Sequence, residues 1–282
     1  MTLPFRKMHG LGNDFIVLDA RVRPIPLAPA EIVALADRRT GIGADTIVVI
    51  EPPRGGSEIF VRFHNADGGE IGTCGNATRC VAALLFAETG RDRISIATRD
   101  GILEAWRSEG GIAVDMGRPR LDWRDIPLAE PTDTLHLPFS GPLTDPVAVS
   151  MGNPHAVFFL PDAESVPLTE LGPAIEHAPL FPERVNVEVA TVIARDRIRM
   201  RVWERGVGIT LACGSGACAT LVAAVRRGLS DRRAILVLDG GELAIEWRDD
   251  DRVIMTGPAA TSFVGEIDPS LLPGRLYRDT AA

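Results

Sequence analysis

Residues 65–85, NADGGEIGTCGNATRCVAALL, and residues 204–224, ERGVGITLACGSGACATLVAA, follow one plan. In each, a strand-like run enters a glycine-rich loop, meets a cysteine followed by glycine, and continues as an apolar helix. The register extends well beyond the loops. An offset of 139 takes Ile59, Val61 and Phe63 to Ile198, Met200 and Val202, Arg62 to Arg201, Asn65 to Glu204, Cys74 to Cys213 and Asp100-Gly101 to Asp239-Gly240, without a gap. With a one-residue change of register, Gly12-Asn13 meets Gly152-Asn153 and Thr46 meets Asn186. Constant spacing over so many matches is the mark of an internal duplication. It predicts two similar domains whose cysteines face each other across one active site.

Hydrophobic periodicity places these loops on elements. Residues 5–8 and 15–19 read as short strands around HGLGND, 29–38 as a helix and 46–51 as an apolar strand. Residues 58–64 alternate cleanly, with Ile59, Val61 and Phe63 on one face. A helix over 75–88 leads to strands at 93–98, 102–107 and 112–116, separated by Asp-Gly and Gly-Gly turns, as in a β-meander. Residues 117–146, rich in proline, form the crossing between halves. The second half repeats the order: a strand at 156–160, a helix at 168–177, strands at 185–193 and 197–203, the second cysteine loop, a helix and a second meander. Both post-cysteine helices lack a polar face, which predicts that each is surrounded by its own sheet.

The 282 residues, 45% of them hydrophobic, suit two domains with proper cores. Lys+Arg 30 against Asp+Glu 38 gives a net charge of -8, and no basic run tracks a phosphate backbone, so nucleic acid is not an expected partner. The start MTLPFRKMHGLGNDF lacks the features of a signal peptide, and no apolar stretch is long enough to span a bilayer. These features predict a cytoplasmic chain with no membrane partner and reduced thiols. The spacings C-x5-C and C-x4-C do not read as a zinc site, so no metal is expected. The glycines of HGLGND are followed by no Walker lysine, and no nucleotide is expected.

Cys80 and Cys218 lie inside the apolar helices and read as core. Cys74 and Cys213 sit where a helix begins, and there the dipole and first-turn N–H groups favour thiolate, with pKa values of about 3.5 to 7.5 against about 8.5 for a free thiol. Such a thiol is a usable base near neutral pH. The N–H groups of Gly75 and Asn76, and of Gly214 and Ser215, can bind a carboxylate and stabilise enolate-like charge growing on it. Two facing helix starts therefore make a pocket in which one thiol removes an α-proton while the other delivers one to the opposite face.

The segments FRKMHGLGNDF, GIGAD, FHNADG, CGNATRC, MGNPH, RVNVE, WERGVG and ACGSGACAT, in this order, resemble the diaminopimelate epimerase family over essentially the whole chain. The resemblance implies an α+β fold of two pseudo-symmetric domains, each a barrel-like mixed β-sheet around a central helix. It implies halves at residues 1–117, with the tail 265–282 packing on them, and 118–264. It also implies epimerisation of LL-2,6-diaminoheptanedioate to the meso isomer without metal or pyridoxal phosphate, in lysine and cell-wall precursor biosynthesis, by a homodimer.

Carried over, Cys74 is the proton donor and Cys213 the acceptor in the LL-to-meso direction. The distal end of the substrate falls to Asn65, Asn153, Asn186, Glu204 and Arg205. The reacting end falls to Asn13 and the N–H groups of Gly75, Asn76, Gly214 and Ser215, with His155 and Glu204 as supporting polar groups. Where the family commonly has a substrate-contacting glutamine after GIGxD, this chain departs with Thr46, whose hydroxyl can still donate and accept but is shorter, so that this one contact is left open. His9 is assigned a turn-stabilising role only. Two other readings remain at this stage. One is a proline racemase-like two-cysteine enzyme, against which the ERG segment and the three asparagines argue; the other is a non-enzymatic binding protein of the same fold.

Overall fold

A computed structural model describes residues 3–268 and 271–272. The first part of the chain forms β1 (Leu3–Gly10), β2 (Asn13–Asp19), α1 (Pro29–Ala36), β3 (Thr46–Glu51), β4 (Ile59–Asn65), β5 (Glu70–Ile71), α2 (Gly75–Thr89), β6 (Arg93–Thr98) and β7 (Gly101–Ser108). It continues as β8 (Gly111–Asp115), β9 (Val147–Ser150), β10 (Pro154–Phe159), α3 (Leu168–Glu176), β11 (Asn186–Ala194), β12 (Arg197–Glu204), β13 (Gly208–Ile209), α4 (Gly214–Arg226), β14 (Arg233–Leu238), β15 (Gly241–Trp247), β16 (Val253–Gly257) and β17 (Ala260–Ile267).

The chain divides into two compact units. One takes residues up to Gly10, Asp14–Trp106 and those from Ala259 onward; the other takes Leu11–Asn13 and Arg107–Pro258. These divisions fall earlier than the expected 117 and 264, and strand pairing is the reason. β8, expected to close the first meander, pairs antiparallel with β16 (Ile112↔Gly257 to Asp115↔Ile254) and belongs to the second unit. β17 pairs antiparallel with β1 (Leu3↔Ile267 to His9↔Ala260) and so brings residues from 260 on into the first. Of the tail expected to pack there, Leu271 and Leu272 join a core with Phe5, Ile32, Leu35 and Ile267, and residues 269–270 and 273–282 lie outside the described part.

Within the first unit β17, β1, β2, β3, β4, β6 and β7 form a mixed sheet, with parallel steps at β2–β3 and β4–β6. The second unit repeats this pattern in β9, β10, β11, β12, β14 and β15, with parallel steps at β10–β11 and β12–β14, and then adds β16 and β8. The short strands β5 and β13 hang on β4 and β12 in the same way.

Alternation explains the strands. Ile59, Val61 and Phe63 of β4 and Ile198, Met200 and Val202 of β12 are buried, whereas the residues between them are half-buried. The missing polar face explains the helices. α4 buries Gly214 and every residue from Gly216 to Ala224 and touches β9, β10, β11, β12, β14, β15 and β16, so the sheet curls around it. α2 is buried from Gly75 to Ala82 and packs on β1 and β6.

The offset of 139 holds from β4 and β12 through both helix starts and then gives way. α4 has 13 residues against 15 in α2. The hairpin glycines that take the left-handed backbone are Gly101 (φ 137°) and Gly241 (φ 136°), an offset of 140. The sequence match of Asp100-Gly101 with Asp239-Gly240 is therefore one residue out in space. Residues 117–146 are also more than a crossing, because Ile126, Leu128, Leu137 and Leu143 bury into the core formed by Phe158, Leu168, Ile175 and Phe181.

Candidate active site

In the first unit Cys74 is the residue immediately before α2, in extended conformation (φ −145°, ψ 106°). Its carbonyl accepts from the Thr78 N–H at 2.9 Å and from the Thr78 hydroxyl at 2.8 Å, which fixes the cysteine to the first turn. Gly75 and Asn76 open that turn, whose N–H donors point out of the helix. The Cys74 thiol is half-buried.

Thr46 and Asn65 are register partners on β3 and β4, so the residue in the glutamine position and the first expected asparagine stand side by side. Their end of the sheet is pinned by Asp14 and Asp45. The Asp45 N–H donates to Asp14 Oδ1 at 2.9 Å, the Asp14 N–H donates to Asp45 Oδ2 at 3.1 Å, and Arg38 donates to both carboxylates. Burial pushes the Asp14 carboxyl up, but hydrogen bonds from Arg38 and Lys7 overcome it and hold the group at about 2. The Ala66 N–H donates to Asp45 O at 3.2 Å and extends the anchorage to the residue after Asn65. His9 lies in β1 opposite Ala260, two residues before the turn that begins at Leu11.

In the second unit Cys213 holds the same position before α4 (φ −113°, ψ 111°), and its carbonyl accepts from the Ala217 N–H at 3.0 Å. The thiols differ in surroundings. Cys213 is 5% exposed, its sulfur accepts from the Gly216 N–H at 3.3 Å, and the Ser215 hydroxyl lies 3.5 Å away. Burial pushes the Cys213 thiol well above its ordinary range; Glu204 and then Glu188 push the same way, against Ser215 and Gly216. This corrects the expectation of a depressed pKa at this helix start, because desolvation and two carboxylates outweigh the donors of one turn.

Around Cys213 the second unit gathers most of the expected residues. Asn153 Nδ2 donates to Ser215 Oγ at 3.2 Å, His155 Nε2 lies 3.0 Å from Asn153 Oδ1, and His155 Nδ1 lies 2.7 Å from Glu188 Oε1. Asn186 sits opposite His155 across β10 and β11; its Nδ2 donates to Pro154 O at 2.8 Å and its Oδ1 accepts from the Arg205 N–H at 2.9 Å. One amide thereby ties β10 to the turn that carries Glu204 and Arg205. Glu204, the last residue of β12, accepts from the Thr210 hydroxyl. The turn Leu11–Asn13 is fitted just as closely. A Cβ on Gly12 (φ 84°) would lie 2.7 Å from Leu211, and a Cβ on Gly240 would lie 1.9 Å from Leu11 O.

Two carboxylates escaped sequence reasoning. Glu176 on α3 is buried and accepts from the Trp203 indole at 2.7 Å and from the Gly206 N–H at 2.9 Å, so it holds the Glu204–Gly206 turn from below. Glu188 on β11 is fully buried beside His155. Its signal was a lone acid inside the apolar run VNVEVATVIA, where an unpaired carboxylate would cost several kcal/mol. All four cysteines are free thiols, and burial pushes Cys80, in the core of α2, up to about 12. Among the described residues, no group of three or more His, Cys, Asp or Glu side chains is arranged to hold a metal ion. Nor is any described helix long and apolar enough to cross a membrane.

The fold of two like units is one that solved structures share. The chain has the fold of a hydroxyproline epimerase from Agrobacterium vitis with bound trans-4-hydroxy-L-proline (TM-score 0.69, 14% identity, 96% of this chain and 94% of that one). It matches a phenazine biosynthesis protein of the PhzF family from Enterococcus faecalis similarly (TM-score 0.70, 18% identity, 95% and 100%). The diaminopimelate epimerase family model matches residues 5–121 and 147–262. Proteins named diaminopimelate epimerase from Rhodospirillum centenum and Acidiphilium cryptum are 58% and 56% identical, over 99% and 95% of this chain and 97% and 98% of theirs. The chain belongs to the diaminopimelate epimerase family.

Proposed function

We propose that this chain is an isomerase that interconverts LL- and meso-2,6-diaminoheptanedioate by exchanging one α-proton between two thiols. The observation that carries the reading is the equivalence of Cys74 and Cys213, each the residue before the buried helix of its unit, in a chain of this family. One thiolate takes the α-hydrogen as a proton, leaving the electron pair delocalised into the carboxylate. The opposite thiol gives its proton to the other face of that carbon. One C–H bond breaks, one forms, and the two thiols exchange protonation states.

In the LL-to-meso direction Cys213 is the acceptor and Cys74 the donor. The thiol of ligand-free Cys213 is raised, so acceptance waits on substrate. An ammonium drawn to Glu204 offsets the carboxylate that most opposes the thiolate. Growing negative charge on the substrate carboxylate is met by the first-turn N–H groups of Gly75 and Asn76 and of Gly214 and Ser215, assisted by Asn13. Asn65, Asn153, Asn186, Glu204 and Arg205 hold the distal amino-acid end, and Thr46 reaches it where the family glutamine would. His155 and Glu204 adjust the charge near the sulfurs. The setting is lysine and cell-wall precursor biosynthesis in the cytoplasm.

The working form is a homodimer. Phe263 (51% exposed) and Val264 (63% exposed) are successive residues of β17 and point to opposite faces, so the strand shows apolar surface on both sides.

Purified protein under reducing conditions, with no added metal or pyridoxal phosphate, is expected to wash deuterium from solvent into the α-position of LL-diaminopimelate as the meso isomer forms. No exchange would remove the assignment. Cys74→Ala and Cys213→Ala should each abolish net epimerisation, and undiminished turnover in either would remove the two-thiol scheme.

A further inference from the structure

Glu188 touches neither sulfur through a hydrogen bond, yet it begins an unbroken chain that ends on one. From Glu188 Oε1 the steps are 2.7 Å to His155 Nδ1, 3.0 Å from His155 Nε2 to Asn153 Oδ1, 3.2 Å from Asn153 Nδ2 to Ser215 Oγ and 3.5 Å from Ser215 Oγ to Cys213 Sγ. Glu188 and His155 are fully buried, and Glu188 Oε2 has no hydrogen-bond partner among the described residues. A carboxylate so enclosed is costly unless it answers a charge or a proton.

The chain has a direction. Asn153 offers its oxygen to His155, so Nε2 carries a hydrogen. Asn153 offers its nitrogen to Ser215, so the Ser215 oxygen is occupied as an acceptor and its own hydrogen is turned to the sulfur. With Nε2 protonated, the Nδ1···Oε1 contact holds one further proton, and the Glu188–His155 pair is neutral as a whole. Without that proton the Nδ1–H would face Glu188, Nε2 would become an acceptor and the Asn153 amide would turn over. Ser215 would then donate to Asn153, and its lone pairs would favour the thiol of Cys213 over the thiolate.

We propose that Glu188 is a positioning residue for the epimerisation: it keeps the proton on His155 Nε2 and so aims the Ser215 hydroxyl at Cys213 as a donor to the thiolate. This rests on the function proposed above. The groups that act on Cys213 are Glu188 from β11, Glu204 from β12, and Ser215 and the Gly216 N–H from α4, while His155 of β10 bonds Glu188.

Glu188→Leu removes the counter-charge and leaves His155 neutral, so the net charge of the pair stays at zero while the direction of the chain is released. The expected result is a loss of kcat of about tenfold or more, the scale of one hydrogen bond to a charged group, with a smaller change in KM. The limb of the kcat/KM profile that needs the Cys213 thiolate should move to higher pH, because loss of the Ser215 donor outweighs removal of the Glu188 carboxylate that itself opposes the thiolate. Glu188→Gln should restore most of the rate, because its NH2 can donate to Nδ1 and leave the hydrogen on Nε2. Ser215→Ala should reproduce the loss, and the double variant Glu188→Leu/Ser215→Ala should lose no more than either alone. Additive losses, or a folded Glu188→Leu variant with an unchanged pH profile, overturn the proposal.

A second measurement needs no turnover. The nitrogen-15 resonances of His155 in the unsubstituted protein, identified by their disappearance in His155→Asn, should show Nε2 protonated near neutral pH. An unprotonated Nε2 overturns the proposal. Absence of epimerisation in the unsubstituted protein would instead count against the function, leaving this measurement to be judged alone.

Discussion

At the scale of single residues, burial governs the thiols more than position on a helix. Cys80 is pushed to about 12 from 9.0, and Cys213 is raised as well. Above about pH 9 the unfolded chain releases both protons while the native chain keeps them, so stability falls as pH rises, by at most about 1.4 kcal/mol per pH unit for each thiol. Urea unfolding midpoints between pH 8 and pH 10.5 should fall less steeply in Cys80→Ala than in the parent under reducing conditions, and parallel slopes would show that Cys80 does not contribute. The same variant should keep its epimerase activity. Cys74 and Cys213 were legible because each falls in a glycine-rich stretch repeated across the two halves, and Asn65, Asn153 and Asn186 because they fall in short motifs that resemble the family. Glu176 and Glu188 were hidden because their partners, Trp203 and Gly206 for one and His155 for the other, come from distant stretches that only the folded sheet brings near.

At the scale of elements, α4 depends on having no side chain at Gly216. A Cβ there would lie 2.7 Å from Glu188 Oε1 and 3.2 Å from Cys213 Sγ, both in packed surroundings. Helix propensity alone favours Gly216→Ala by up to about 1 kcal/mol. Overpacking costs about 1–3 kcal/mol and should win. The variant is expected to melt lower than the parent and to lose kcat through displacement of the Cys213 sulfur; a higher melting temperature with full activity would show that Glu188 moves aside freely. Apolar helices and alternating strands were readable because each carries its own period. β5 and β13 are two residues long and β9 four, too short to show one. β17 is exposed on successive residues and has none to show.

At the scale of the whole molecule, the proposed dimer makes a direct prediction. Sedimentation should give a dimer for the parent at micromolar concentration and a monomer for Phe263→Glu, whose charge would have to be buried. A monomeric parent would refute the assembly. Pseudo-symmetry was visible from the register alone, whereas the transfer of β8 into the second unit and the return of β17 to the first were not, because strand exchange leaves no mark on local pattern. That return has a consequence for biosynthesis. Everything the second unit needs has been translated once Pro258 is added, but β1, made about 250 residues earlier, still waits for its partner β17 at that point. Nascent chains stalled after residue 258 should therefore resist protease across the second unit while β1 and its neighbours remain open to cleavage, so the half made first is the half completed last.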